Sequence, residues 1–197
     1  MNRDDLPFAP ACERNKAPIL EVLSKELPIK GEVLEIGSAT GQHVVFFAAN
    51  LPGLCWQPSD RKEYLPGLKR RIDMEGGSNI ATPIELDVLN QWPERQFAAV
   101  YSANTSHIMG WEAVCAMFEG VAKHMADGGV FCLYGPFNEN QQFTAPSNAD
   151  FDAQLRRQDP KMGLRDLEAL ETLARQHQML RVAKYPLPAN NQVLIFK

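Results

Sequence analysis

Between Val33 and Gly135 the chain alternates five times in a row between a short apolar run and a helical pattern, and few architectures accept that rhythm. The strand-like runs are VLEI, LCWQPS (Leu54 to Ser59), TPIELDV, FAAVYSA (Phe97 to Ala103) and VFCLYG. Between them, Tyr64, Leu65, Leu68 and Ile72 share one helix face, as do Val114, Met117, Phe118, Val121 and Met125. Gly76-Gly77 should stop the first of these helices, and Asp127-Gly128-Gly129 the second. An earlier helix is expected over Ala17 to Leu27, with Pro18 in its first turn. The pattern predicts an α/β fold whose parallel sheet is built from βαβ units.

The last third departs from this rhythm. Pro136 to Gly163 is polar and punctuated by proline, with a short helix expected over Asn148 to Arg157 and with Ser147 and Asp150 in capping-box positions. A helix near Asp166 to His177 follows, and MLRVAKYPL and NQVLIFK close the chain as a hairpin across PANN. A polar insert of this length often covers a site. At 197 residues without repeats, the chain is expected to form one globular domain.

Charge and cysteine usage narrow the function classes. A net charge of −4 leaves no basic footprint for nucleic acid or an anionic membrane. No apolar run approaches the ~20 residues of a membrane span, and MNRDDLPFAP lacks the basic-then-apolar start of a signal peptide, so a cytoplasmic protein is expected. Cys12, Cys55, Cys115 and Cys132 are scattered, which suggests neither disulfides nor a metal site. Cys55 and Cys132 lie in apolar runs and are expected to be structural. Lys69, Arg70 and Arg71 read as a solvated helix face, and His124 and His177 as surface residues complementing helix ends.

The first strand-to-helix turn reads EIGSATGQH, from Glu35 to His43. In a doubly wound sheet this turn floors the ligand site, and its glycines let backbone approach ligand closely. The spacing E-x-G-x-x-x-G misses the three-glycine dinucleotide fingerprint. Glu35 also disfavours a pyrophosphate and favours an ammonium or sulfonium. Asp60 ends the second strand, where it can accept hydrogen bonds from ribose hydroxyls, and Asp87 ends the third, within reach of an adenine edge. Each acid alone could be a solvated turn residue.

With these residues the chain resembles the class I S-adenosylmethionine-dependent methyltransferases over about Glu32 to Gly135, departing at Ala39, where a glycine is common. The resemblance implies a three-layer sheet of about seven strands, mostly parallel, with an antiparallel C-terminal hairpin. PACERNKAPILEVL, WQPSD, SANTSHIM, FDAQLRRQDPKMGLRDLEAL and PANN extend the likeness to a small family of unknown function related to methyltransferase-like protein twenty-six. The cofactor so implied is S-adenosylmethionine. Its candidate binding residues are Glu35, Gly37, Ser38, Gly41, His43, Asp60, Arg61, Asp87, Val88 and Ala103, while Arg14 and Asn15 fall in a motif that closes over the site.

Candidates for chemistry follow the fourth strand. Methyl transfer from a sulfonium needs alignment, and a base only when the acceptor carries a proton. Asn104 and His107 stand where side chains face the transferring methyl; His107 is a general base or a residue packed on the next helix. His43 either hydrogen-bonds the cofactor carboxylate or caps a helix, and Tyr134 lines an acceptor pocket or packs its ring. Trp111 reads as core or lid packing. Arg156, Arg157 and Arg165 meet an anionic acceptor or pair with Asp152, Asp159 and Asp166. The expected partner is a small-molecule acceptor, with the oligomeric state left open. A cofactor-binding regulatory module without turnover and a nicotinamide-dependent oxidoreductase are the alternatives.

Overall fold

A computed structural model describes residues 6–197. The elements run α1 (Pro10–Glu26), β1 (Gly31–Ile36), α2 (Gln42–Asn50), β2 (Leu54–Asp60), α3 (Leu65–Glu75), β3 (Ile84–Glu85), β4 (Phe97–Ala103), α4 (Trp111–His124), β5 (Met125–Gly135), β6 (Phe137–Asn138), α5 (Pro146–Gln158), β7 (Arg165–Asp166), α6 (Leu167–Gln176), β8 (Arg181–Leu187) and β9 (Asn191–Phe196). Among the described residues, seven strands form one sheet in the order β3-β2-β1-β4-β5-β9-β8. The pairs through β5 are parallel, and β9 runs antiparallel to both β5 and β8. This is the expected three-layer, doubly wound sheet with an antiparallel closing hairpin. Strand order reverses between β1 and β4, so their carboxyl ends flank the crevice in which such sheets bind ligands.

The strands are apolar on both faces because helices cover both. Val33, Ala99, Tyr101, Cys132, Val193 and Ile195 pack with Ile19, Leu23, Val44, Phe47 and Trp56 in one core. Their chain neighbours Leu34, Val100, Phe131, Leu133, Leu194 and Phe196 pack with Met117, Phe118, Val121, Leu170 and Leu173 in the other. The two-residue period of a strand sends alternate side chains to opposite cores, which is how near-continuous apolar runs become central strands. No helix of the described residues is long and apolar enough to cross a membrane.

Several elements differ from expectation. Helix α1 begins at Pro10, seven residues before the expected Ala17, and Pro18 lies inside it. Its first half carries little apolar periodicity and is held by polar contacts to distant residues. The third strand is two residues long, so Asp87 lies beyond it in a turn where its Oδ1 accepts from Leu89 N at 3.0 Å. Helix α4 ends at His124, before Asp127. Gly128 (φ 73°) and Gly129 instead belong to an irregular start of β5, where the register to β4 jumps from Phe97↔Met125 to Ala99↔Val130.

The insert is pinned at both ends by the parallel β6–β7 pair. Its helix α5 lacks the expected capping box, because Pro146 occupies the first turn and Ala145 is the N-cap, with no side-chain cap bond. Asp166 does cap α6, accepting from Glu168 N. Trp111 is 41% exposed at the start of α4 and sits under the Arg165 guanidinium rather than in the core. His124 is partly buried, bonded to Gly120 O and stacked on Trp92. Cys132 is buried as expected, whereas Cys55 is exposed, at the start of β2 on the face opposite to its buried neighbours Leu54 and Trp56.

Candidate functional site

The turn from β1 into α2 is a tight loop held against the end of β2. Gly37 and Gly41 both have φ of 75°, and a Cβ on Gly37 would lie 2.6 Å from Thr105 Cγ2. Ala39 occupies the same left-handed region, with φ of 46°, where a glycine would sit with less strain. Gly37 N and Ser38 N both donate to Ser59 O at 3.0 Å, Ala39 N donates to Asp60 Oδ2 at 2.7 Å, and Gly41 N to Ser38 O at 2.8 Å. These four amides are engaged within the protein, so the loop is not the nest of free N–H groups that holds a phosphate.

Glu35 lies at the edge of this loop, 2% exposed, with its Oε2 buried and without a hydrogen-bond partner. Burial pushes its pKa from the usual 4.5 to about 7; the Ser38 hydroxyl pulls the other way, and the Asp60 charge adds to the rise. A buried carboxylate oxygen with nothing to bond is costly, and a cationic ligand would relieve that cost. Asp60 is 8% exposed; its Oδ1 accepts from Arg61 N at 2.8 Å as Oδ2 does from Ala39 N. Each oxygen keeps a second lone pair for a ligand hydroxyl.

The N-terminal segment is strapped over the loop. Gln42 Oε1 accepts from Ala9 N at 2.7 Å and from Thr40 Oγ1 at 3.0 Å, while Gln42 Nε2 donates to Glu13 Oε1 at 2.7 Å. The Arg71 guanidinium donates to Thr40 O at 2.6 Å, to Pro7 O at 2.7 Å and to Glu75 at 2.6 Å. Arg71 is therefore a buried anchor, not part of a solvated face, since its fork ties α3, the glycine loop and the N-terminal segment together. Cys12 hydrogen-bonds Thr40 and feels the Glu35 charge, which places the start of α1 beside the carboxylate.

His43 neither caps α2, whose N-cap is Gly41, nor faces open space. Its ring is buried, with Nε2 2.7 Å from Asn15 Oδ1 and Nδ1 3.2 Å from the Tyr101 hydroxyl. Burial lowers its pKa to about 4, so the ring is neutral. Because the Asn15 oxygen can only accept, Nε2–H donates to it and Tyr101 O–H donates to Nδ1. Asn15 hydrogen-bonds onward to Tyr134. The Tyr134 phenol is raised by burial, against which the Asn15 bond and the Arg14 charge act.

Beyond Tyr134 opens a cavity of about 530 Å³. Helix α1 gives it Ala11, Arg14, Asn15 and Pro18, the end of β4 gives Asn104, His107 and Ile108, and Tyr134 and Pro136 close the end of β5. Ser147, Asn148 and Phe151 of α5 cover it, with Leu187 to Ala189 and Asn191 of the closing hairpin. His107 is 4% exposed, and its Nδ1 has no partner. Burial, reinforced by the Arg165 charge, lowers its pKa to about 4. It does not cap α4, whose N-cap is Gly110, but it does pack edge-on against Phe151 at 5.3 Å.

A family described as a protein of unknown function, DUF938, matches residues 6–197. The chain belongs to the DUF938 family. Its backbone is similar to solved methyltransferase structures at low identity. An O-methyltransferase family protein from Burkholderia thailandensis superposes with a TM-score of 0.81 at 16% identity, over 95% of this chain and 57% of that one. Human N-acetylserotonin methyltransferase in complex with SAM gives 0.81 at 13% identity, over 95% and 52%. The calicheamicin methyltransferase CalO1, in its SAH-bound form, gives 0.75 at 16% identity, over 93% and 54%. The DUF938 chain thus spans little more than half the length of these structures, and the likeness is one of fold.

In the DUF938 chain the sequence-predicted residues fall into two neighbouring groups. Glu35, Gly37, Ser38, Gly41 and Asp60 build the loop. Ala103 ends β4, paired with Tyr134. Arg14, Asn15, Asn104, His107 and Tyr134 meet in the cavity. Arg61 stands outside both, paired with Glu63 at 3.1 Å and lying on Tyr64. Asp87 lies in the turn after β3, following Leu86, whose N donates to Asp60 O at 2.9 Å, and the Val88 side chain is packed in the core. Arg156 pairs with Asp152 at 2.6 Å, and Arg165 holds the carbonyls of Ser106, Met109 and Lys161, so neither belongs to the cavity wall. From sequence, Gln42 and Phe151 carry no role, Arg71 reads as solvated and PANN only as a turn, although the dipeptide Gln42-His43 directly after Gly41 marks the helix end that the strap grips.

Proposed function

We propose that this protein is an S-adenosylmethionine-dependent methyltransferase acting on a small-molecule acceptor. One observation carries the reading: a buried carboxyl, Glu35, one of whose oxygens has no partner, at the switch point of a doubly wound sheet, beside a glycine loop in which the amides of Gly37, Ser38, Ala39 and Gly41 are already bonded. That combination suits a cationic nucleoside and opposes a dinucleotide. The likeness to methyltransferase folds supports the same reading.

When bound, the cofactor supplies a methyl group already activated by a sulfonium. Glu35 holds the ammonium of its amino-acid end, and Asp60 accepts from ribose hydroxyls with its free lone pairs. Ser38, His43 and Ala103 shape the cradle, and the Asp87–Val88 turn with Arg61 bounds the adenine side. Asn104 and Tyr134 orient the acceptor, with Asn15 holding the Tyr134 hydroxyl in place. The neutral His107 ring in the cavity wall takes the proton of an acceptor hydroxyl. We take the chain as one functional unit, in which the insert over 136–163 and the start of α1 form a lid that excludes water.

Titration calorimetry tests this on the wild-type protein with S-adenosylmethionine, S-adenosylhomocysteine and the reduced nicotinamide cofactor. The first two are expected to bind at micromolar concentration and the third not at all. Failure of both to bind overturns the reading. Binding of S-adenosylmethionine without its consumption across an acceptor screen would make the protein a cofactor-sensing module instead.

A further inference from the structure

The wall of the 530 Å³ cavity is asymmetric in charge: Arg14 contributes a guanidinium, and among the described residues no Asp or Glu lines it. Ala11, Arg14, Asn15 and Pro18 recur at the spacing of a single helix face, so α1 turns one face, Arg14 included, toward the cavity. The other arginines near the site are committed, Arg71 to the strap and Arg165 to three carbonyls. Arg14 has no hydrogen bond and no ion pair among the described residues. Ile108, Pro136, Phe151 and Leu187 give the cavity apolar lining.

From these features we infer that the acceptor is a small hydroxy acid: a monocarboxylate with an apolar body, held by its carboxylate on Arg14 and presenting its hydroxyl toward His107. A planar guanidinium matches a carboxylate through two parallel N–H donors. A phosphate monoester, nearly a dianion at neutral pH, would call for a second cation that the cavity wall lacks. A volume of about 530 Å³ suits one ring or a short chain with two polar ends. The hydroxyl's role rests on the proposed methyl transfer, whereas the preference for a carboxylate rests on Arg14 alone.

Calorimetry at saturating S-adenosylhomocysteine tests the inference with two acid and amide pairs, para-hydroxybenzoate against para-hydroxybenzamide and mandelate against mandelamide, and with phenyl phosphate. At least one acid is expected to bind about tenfold more tightly than its amide, the lower end for a charge-assisted pair because Arg14 is exposed. Arg14→Gln should erase that preference, and Arg14→Lys should restore part of it. Arg14 is exposed and holds no hydrogen bond or ion pair among the described residues, so both variants are expected to melt as wild type does by circular dichroism. Equal affinity for acid and amide, a preference that survives Arg14→Gln, no binding by either acid, or tighter binding of phenyl phosphate would each overturn the inference. If S-adenosylhomocysteine itself does not bind, the methyltransferase reading falls, and the same pairs measured without it still report on Arg14.

Discussion

Glu35→Gln should make the free protein more stable at pH 8 and strip it of cofactor affinity. The folded carboxyl holds its proton up to about pH 7, against 4.5 for an ordinary glutamate, chiefly because it is buried. Between these values the native state binds more protons than the unfolded chain. The stability this group contributes is therefore complete below about 4.5 and is lost as pH rises through about 7. The full shift corresponds to roughly 3 kcal/mol. Urea melts of the two proteins without cofactor, at pH 5 and pH 8, should show the variant ahead at the higher pH and the gap shrinking at the lower one. Calorimetry on wild type should show affinity for S-adenosylmethionine falling about tenfold per unit below pH 7, as the ammonium loses its carboxylate partner. A variant as pH-sensitive as wild type would mean that the buried charge lies elsewhere.

The second large effect is expected at His107. Replacing it by Gln keeps the shape of the side chain and removes the base, and general-base catalysis is worth roughly 10²–10⁴ in rate. The loss should fall on kcat with a hydroxyl acceptor, with little change in KM for the cofactor. The pH profile carries a further signature. With its pKa lowered to about 4 by burial and the Arg165 charge, His107 stays neutral well below the usual histidine range. At saturating cofactor, kcat should stay level from pH 8 down to about 5 and decline only as the pH approaches 4. An acid limb near 6.5 would place the active histidine in water, and full activity in the variant would reduce His107 to a packing partner of Phe151.

Where sequence and structure agree, the physics is local. Alternating side chains in FAAVYSA and VFCLYG report burial on both sheet faces, and the turn EIGSATG demands left-handed backbone at Gly37 and Gly41 within seven residues. Where they part, the cause is a contact between residues far apart in the chain. PACERNK carries start signals in Pro10 and Glu13 but no apolar periodicity to confirm them, because that turn is held by Glu13 reaching Gln42, and Ala9 reaching the same side chain 33 residues away. Arg71 looks like one of three solvated cations until its guanidinium finds Pro7 O, 64 residues earlier. His43 follows the same rule: its partners Asn15 and Tyr101 come from α1 and β4, and no local pattern could separate a buried relay from a cap. The chemistry-bearing residues after β4 were legible because their place is set by topology, while the hairpin turn that completes their cavity came from the chain's far end.

Helix α1 touches both halves of the site, through Cys12, Glu13 and Asn15 on the glycine loop and through Arg14 and Pro18 on the cavity. A nucleoside entering or leaving beside Glu35 must displace the strap that begins this helix, and displacing it removes one wall of the acceptor's cavity. For the methyl transfer proposed above, this predicts an ordered sequence: donor first, acceptor second, methylated product out, demethylated donor last. Initial-rate studies should find S-adenosylhomocysteine competitive against S-adenosylmethionine and not against the acceptor, which would make the proportion of the two nucleosides, more than acceptor supply, the brake on the rate.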